Sequence, residues 1–293
     1  MRTYLECVSC FVRQALDAAR RTTSDPAVHQ RVLRQTLRLA AEMPFDRPPP
    51  WMGQQIHRLL REATGSDDPY RQAKREANEL ALRLYPALKQ RVRESAEPFE
   101  TALRLAIAGN VIDLGVKSQL DDDEVHRAID GALTDTLDTG ALGDLRQAVR
   151  AAKDILYLAD NAGEIVLDRL LIEEMPADRV TVVVKGKPII NDATREDAEA
   201  AGLTALVRVI DNGSDVPGTI LEMCSAPFRD RFVRCDLVVS KGQGNYETLG
   251  GVDGKVFFLL KAKCPVIARD IRCRIGQMVI CRDDPNRDPA GSR

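Results

Sequence analysis

The sequence predicts an α/β protein: a three-layer α/β/α domain on a mostly parallel sheet, preceded by an all-helical amino-terminal domain. Three observations carry this. From residue 154 onward, short apolar runs alternate with helix-like segments, the pattern of parallel strands joined by crossover helices. Before that point apolar residues recur every three to four positions, the spacing of amphipathic helices. A chain of 293 residues with 44% apolar content has the length for one large domain or two unequal ones. The change of texture puts a helical domain over 1–150, packing over a cleft, an α/β/α domain over 151–283 and a flexible tail over 284–293.

In the first half, Val32, Leu33, Leu37 and Ala40 share one face of a helix over 29–43. Ala73, Ala77, Leu80, Ala81 and Leu84 share one face of another over 71–85. Pro44 and the run Pro48-Pro49-Pro50 interrupt the pattern, because proline lacks the N–H and its ring collides with the preceding turn; Gly65-Ser66-Asp67-Asp68-Pro69 interrupts it again. Pro98 suits the first turn of a helix bearing Phe99, Ala102, Leu103, Ala106 and Val111 and ending near Gly115. Asp121-Asp122-Asp123 caps the next, and a helix over 142–152 leads into the second half. The expected strands are Ile155–Leu158, Val180–Val184, 206–210, 237–239 and 256–260, with helical segments over 165–175, 194–201 and 219–234.

Charge and composition exclude several function classes. Forty-two basic against 44 acidic side chains leave a net charge of −2, without the basic excess that nucleic acid demands. The longest strongly apolar stretches, around 182–184 and 256–260, fall far short of the roughly 20 residues of a membrane helix. No apolar core follows Met1-Arg2-Thr3-Tyr4-Leu5-Glu6, as a signal peptide requires. The expectation is a cytoplasmic protein with neither nucleic acid nor a membrane as partner. Seven scattered cysteines read as thiols rather than a disulfide framework. His29, His57 and His126 all lie in the first half, so a site built in the second half works without imidazole. That disfavours Ser-His-Asp, Cys-His and most zinc hydrolase chemistry there.

Ligands of a parallel sheet bind at the carboxyl ends of its strands, and there this sequence turns polar. The first strand leads to Asp160-Asn161-Ala162-Gly163-Glu164, the second to Lys185-Gly186-Lys187-Pro188 and Asn191-Asp192, the third to Asp211-Asn212-Gly213. The fourth leads to Lys241-Gly242-Gln243-Gly244-Asn245 and the fifth to Lys261. Asp160, Asn161 and Asp192 offer carboxylate and carbonyl oxygens, the ligand set of hard divalent cations such as Mg²⁺ or Mn²⁺. Each alone reads equally as a helix cap; together at adjacent strand ends they point to a metal. Lys185, Lys241 and Lys261 can hold a phosphate as point charges, and Gly242 to Asn245 can bring backbone N–H groups to close approach. Each lysine taken singly reads as solvated surface. Glu247 stands where the third glycine of G-x-G-x-x-G would fall, so neither a dinucleotide fingerprint nor a Walker A loop is present.

Three features of the first half need separate treatment. Ala108-Gly109-Asn110-Val111-Ile112-Asp113 puts Asn110 and Asp113 on one face of an apolar helix, where they serve packing or look into the cleft. Cys7-Val8-Ser9-Cys10, without a second C-x₂-C, is one helical turn, a structural metal half-site or a redox pair. Asp121-Asp122-Asp123-Glu124-Val125 fits the loose D-x-D-x-V form of the haloacid dehalogenase nucleophile, but it opens a helix rather than following a strand.

These motifs occur in a familiar order. Cys7-Val8-Ser9-Cys10, Ala108 to Asp113, Asp160 to Glu164, Lys185 to Pro188 with Asn191-Asp192-Ala193-Thr194, Lys241 to Glu247, and Leu260-Lys261-Ala262-Lys263-Cys264-Pro265 together resemble the metal-dependent damage-control phosphatases. That family is catalogued as domain of unknown function eighty-nine, and the likeness is to its prokaryotic cysteine-containing branch. The resemblance spans nearly the whole chain. It implies a helical domain beside an α/β/α domain, and hydrolysis of small phosphorylated metabolites such as sugar phosphates or nucleotides with Mg²⁺, Mn²⁺, Co²⁺ or Ni²⁺. It implies Asp160, Asn161 and Asp192 as metal ligands. Lys261 matches the lysine of the R-T-x-K signature of the sugar-phosphate branch, whereas Phe258 and Leu259 replace its arginine and threonine.

Charge then suggests the mechanism. A cation shared by the ligands and a phosphate oxygen, assisted by Lys241 or Lys261, stabilises charge at the phosphoryl group. Attack by an Asp160 oxygen or by a water both suit a site without imidazole, and Glu164 or Asp113 can orient that water. The expected catalytic residues are thus Asp160, Glu164, Lys241 and Lys261, with Asn110, Asp113, Lys185, Gly242, Gly244 and Asn245 binding substrate. Two other classes compete. An S-adenosylmethionine-dependent carboxyl methyltransferase, described for some relatives, needs a glycine-rich first turn and an acid after the second strand, where this chain has only Gly163 and then Lys185. A non-catalytic phosphometabolite-binding protein can share the same pocket.

Overall fold

The computed structural model describes residues 1–109, 122–252 and 254–283, with the side chains of 122–126 and 128 left out. Among the described residues seven helices come first: α1 (Leu5–Thr22), α2 (Pro26–Glu42), α3 (Pro49–Thr64), α4 (Arg71–Glu94), α5 (Pro98–Ala108), α6 (Asp122–Thr134) and α7 (Thr139–Ala151). Their ends follow local chemistry. Asp25 caps α2 by accepting from Ala27 N at 2.8 Å, and Asp138 caps α7 by accepting from Gly140 N and Ala141 N. The proline run that interrupts one helix opens the next, since Pro49 and Pro50 occupy the first turn of α3 where no N–H partner is needed.

The second half is β1 (Ile155–Leu158), α8 (Glu164–Glu173), β2 (Val180–Val184), α9 (Arg195–Ala200), β3 (Arg208–Asp211), α10 (Ala226–Arg234), β4 (Leu237–Lys241), α11 (Gln243–Leu249), β5 (Val256–Lys261), α12 (Pro265–Ile271) and β6 (Met278–Arg282). The sheet runs β3-β2-β1-β4-β5-β6, parallel except that β6 is antiparallel to β5. All five expected strands are present. The sixth was not expected: Met278–Arg282 is a short edge strand beyond the last βα unit, buried over Met278 to Ile280 and exposed at Arg282. The 219–234 segment holds one 3₁₀ turn, Leu221–Met223, and one α-helix whose Ser225 accepts from Phe228 N.

The three-layer expectation is met. Ile155, Tyr157, Val182, Val239, Phe257 and Leu259 face one way, onto Leu103 and Ala106 of α5 and Ile165 and Leu170 of α8. Leu156, Leu158, Val238, Phe258 and Leu260 face the other way, onto Phe228 and Phe232 of α10, Leu249 of α11 and Ile267 of α12. Burial on both faces explains why these strands read as unbroken apolar runs. Leu80 and Leu84 of α4 and Leu145 of α7 belong to the same core as the sheet, whereas Phe11, Val32, Met52, Ile56 and Leu60 of α1–α3 form a separate cluster.

Polar clamps join α3 and α4 to the loops of the sheet. Asp215 accepts from Gln54, from Arg58 at 2.8 Å and from Arg61 at 2.7 Å, and those three hydrogen-bond partners hold its carboxyl down at a pKa of about 2 although burial opposes this. Arg61 also donates to Pro188 O at 3.0 Å. Lys74 lies 3.2 Å from Asp68 and 3.3 Å from Asp197, and Asn78 donates to Asp197 at 2.8 Å. Among the described residues no helix is long and apolar enough to cross a membrane.

Candidate active site

In this strand order the direction of winding reverses between β1 and β4, which opens a crevice at their carboxyl ends. Asp160 leaves β1 there and Gly242 leaves β4. The loops after β1 and β2 are stitched together: Asn161 and Asp192 form an antiparallel bridge, Ala193 N donates to Asp160 O at 2.8 Å and Ala162 N to Asn191 O at 2.8 Å. Asp160, Asn161 and Asp192 are thereby gathered on one rim. Asn161 Nδ2 donates to Asp160 Oδ2 at 2.8 Å and to Glu164 Oε2 at 3.1 Å. The turn before Asp192 is strained: Ile190 sits at φ 45°, a left-handed conformation that a β-branched side chain rarely adopts.

The electrostatics of the rim are unbalanced. Among the described residues, Asp160, Glu164, Asp168 and Asp192 are four buried or half-buried carboxylates, and the buried ammonium groups paired with them are two, Lys185 and Lys241. In that set two negative charges are left over. Lys74, held by Asp68 and Asp197, offsets Asp192 only in part, and Lys263 acts from an exposed position. Accordingly burial, then Glu164 and Asp192, hold the Asp160 carboxyl well above the usual range. Burial also raises Asp192 against the pull of Lys185, and raises Asp168 to about 6 against the pull of Lys241. Asp192 Oδ2 lies 3.4 Å from Lys185 Nζ and makes no well-aligned hydrogen bond. Two carboxylates and an amide carbonyl, with surplus negative charge and an under-satisfied oxygen, suit a hard divalent cation. Among the described residues no three His, Cys, Asp or Glu side chains form such a group; the oxygen donor next to Asp160 and Asp192 is the Asn161 carboxamide.

Several expected site residues have other engagements. Lys241 was expected as a free phosphate-binding cation; its ammonium is instead fully buried, donating to Ala106 O at 2.8 Å, Glu164 Oε1 at 2.7 Å and Asp168 Oδ1 at 2.5 Å. The reason is strand alternation: Lys241 shares the face of Leu237 and Val239, which α5 and α8 cover. Lys185 is likewise buried, between Asp192 and Gly218 O. Asn245 bridges Lys241 O at 2.8 Å and the Thr219 hydroxyl at 2.7 Å. Gly242 N donates to Leu259 O, so that amide is not open to a ligand, and Gly244 allows close passage of the loop at Gly218. Lys261 ends β5 half-buried, on the face of Phe257 and Leu259, while Phe258 and Leu259 are core residues. Asn110 and Asp113 lie outside the described residues. All seven cysteines are free thiols, and Cys7 packs on the α1–α3 cluster.

Sequence reasoning missed four participants. Asn78 of α4 accepts from Gly163 N at 2.7 Å, fixing the turn into α8, and Asp197 accepts from Thr194 N and the Thr194 hydroxyl behind Asp192. Tyr157 donates to Asp168 Oδ1 at 2.8 Å inside the core. A signal existed for Asp168: it is the single acid within the apolar run from Ile165 to Ile172. His57, beside Pro188 and Ile190, is not a base, since burial and then Arg61 lower its pKa to about 3.

Gly242 has φ +83°, and a Cβ added there would lie 2.0 Å from Asp160 Oδ2. Gly242→Ala is therefore expected to cost about 1–3 kcal/mol of stability through backbone strain and to lower turnover roughly 100-fold by displacing the Asp160 carboxylate. Thermal unfolding and phosphate release measured side by side would check both effects; an unchanged rate would mean that the carboxylate can move freely. A groove of about 590 Å³ at the amino ends of β1, β2 and β3, among Lys153, Arg179, Arg208 and Arg231, is basic in character, and its Asp154 is taken up by Arg231 at 2.7 Å.

The sequence and the fold both match known proteins. A family model described as a damage-control phosphatase ARMT1-like domain matches residues 3–279. A damage-control phosphatase of Pyrococcus horikoshii is 35% identical over 288 residues, covering 97% of this chain and 99% of that protein. One from Archaeoglobus fulgidus is 34% identical over 289 residues, covering 93% and 96%. An uncharacterized protein of Methanocaldococcus jannaschii is 37% identical over 288 residues. The crystal structure of a Pyrococcus horikoshii protein of the same domain family superimposes with a TM-score of 0.87 at 34% identity, covering 97% of this chain and 100% of the other.

Proposed function

The chain belongs to the ARMT1-like damage-control phosphatase family, and from that premise we propose that it is a divalent-metal-dependent phosphatase of small phosphorylated metabolites, with Asp160, Asn161 and Asp192 as the cation's ligands. The observation that carries this reading is the pair of uncompensated negative charges buried at the crevice between β1 and β4. Burying unpaired charge is costly, so the surplus is relieved by proton uptake, which the raised Asp160, Asp168 and Asp192 carboxyls reflect, or by a bound cation, which competes with those protons. A bound divalent cation supplies Lewis-acid stabilisation of the charge on the phosphoryl oxygens.

The chain's own groups do the rest. Lys261, half-buried at the carboxyl end of β5, would take a phosphate oxygen as a point charge. Lys185 holds the Asp192 carboxylate in place from behind. The bridge between Asn161 and Asp192 keeps both ligand loops in one register, so the donors are organised before substrate arrives. Phe258 and Leu259, buried on opposite faces of the sheet, offer the substrate no second cation, which favours metabolites with a single phosphate over those gripped at two anionic ends.

The test is a phosphate-release screen over sugar phosphates, nucleotides and phosphopantetheine with Mg²⁺, Mn²⁺, Co²⁺ or Ni²⁺, and with EDTA. Release from at least one class is expected, abolished by EDTA and restored by added metal. Release that persists in EDTA would overturn the reading.

A further inference from the structure

We propose that Tyr157, Asp168 and Lys241 form a positioning element that orients the Asn161 carboxamide through Glu164; this rests on the reading of Asp160, Asn161 and Asp192 as ligands. The three side chains have no solvent exposure at all. Apolar residues of similar volume would serve packing there as well or better, so three buried polar groups call for another role. Lys241 offers three N–H donors, and three acceptors meet them: Ala106 O, Glu164 Oε1 and Asp168 Oδ1. Asp168 Oδ1 also accepts from the Tyr157 hydroxyl at 2.8 Å. Lys241 is thus fixed from below, and it fixes Glu164 by one oxygen.

The consequence falls on the ligand set. With Oε1 on Lys241, Glu164 presents Oε2 to Asn161 Nδ2 at 3.1 Å, while the second N–H of that amide donates to Asp160 Oδ2 at 2.8 Å. With Asp160 and Glu164 ionised, as cation binding requires, a turned amide would set its carbonyl oxygen against two carboxylates. The network therefore assigns one orientation, in which both amide hydrogens are engaged and Oδ1 is the atom left for a cation. Gly109 permits this proximity, since a Cβ on it would lie 2.9 Å from Glu164 Cγ.

The experiment titrates Mn²⁺ alone into the full chain by calorimetry, comparing wild type with Lys241→Met, Tyr157→Phe and, as a control, Asp192→Asn. Lys241→Met separates two physical effects. It makes the site more negative, so charge alone would tighten Mn²⁺, whereas lost orientation weakens it. We expect weakening of about 10- to 100-fold, the range for partners that orient metal ligands, and about 3- to 10-fold for the charge-neutral Tyr157→Phe. Unchanged or tighter Mn²⁺ binding by folded Lys241→Met overturns the proposal, as does unchanged binding by Tyr157→Phe. If Lys241→Met does not fold, Tyr157→Phe alone decides. Should Asp192→Asn bind Mn²⁺ as wild type does, the ligand reading fails; should it lose Mn²⁺ while Tyr157→Phe keeps full affinity, only the positioning role fails.

Discussion

Asp160→Asn is expected to abolish metal-dependent phosphate release while making the metal-free protein more stable. The two effects share one cause. Asp160 lies at the rim beside Glu164 and Asp192, and burial with those two neighbours pushes its carboxyl well above the usual range, so in the metal-free state its charge is a burden. Asparagine has the same shape, keeps an oxygen on Cγ and removes the charge. A stability gain of about 1–2 kcal/mol is expected at neutral pH, the scale on which relieving an unfavourable functional charge stabilises a protein. Turnover should fall at least about 10³-fold, the loss associated with removing a group that organises transition-state charge. Metal-free thermal unfolding, Mn²⁺ titration and phosphate release on one preparation would check the pair. Metal-dependent turnover within tenfold of wild type would sink the assignment of Asp160, whatever the stability showed.

Metal-free protein should lose stability as pH rises from about 4 to 7, and a divalent cation should reverse that trend. The sign follows from the direction of the shifts. Asp160 and Asp192 are raised above 3.8, Asp168 is raised from 3.8 to about 6, and burial raises Glu247 from 4.5 to about 7. A carboxyl with a raised native pKa binds more protons folded than unfolded in that window. Its contribution is fully present below the unfolded value and is lost as pH climbs through the folded one. For Asp168 alone the change is on the order of 3 kcal/mol. Asp215 and His57 run the other way: the window of Asp215, from 3.8 down to about 2, lies below this range, whereas His57, lowered from 6.5 to about 3, opposes part of the loss up to about pH 6.5, and the raised carboxyls together outweigh it. Cation binding needs the deprotonated carboxylates, so at a concentration of about 1,000 times Kd it adds roughly 4 kcal/mol, or about 8–16 °C in Tm for a chain of this size. Differential scanning calorimetry at pH 5 and pH 7.5, with Mn²⁺ and with EDTA, measures all four corners. A metal-free Tm that rises between those pH values would contradict the charge deficit.

Much of this was legible before any fold was known, for physical reasons visible in particular residues. Ile155–Leu158 and Val180–Val184 announce themselves because a strand buried on both faces is built mostly from apolar side chains. Asp160 and Asn161 stand out because they follow such a run within two or three residues, and Asp192 because it lies in the polar loop after the next one. β6 escaped notice, being a short edge strand antiparallel to its neighbour and so outside the alternating pattern.

Lys241 marks the boundary between the two kinds of knowledge. Alternation from Leu237 and Val239 already put it on a definite face of its strand, yet nothing local told which face the helices would cover. Its partner Asp168 is 73 residues away, and Asn78 is 85 residues from the Gly163 amide that it holds. Periodicity, capping and turn chemistry act over a few residues, so the sequence alone determined the order of elements and the polar residues that follow each strand. Which ammonium groups are free and which are locked under the site was decided only by tertiary packing, because charges pair through space between segments that the chain keeps far apart.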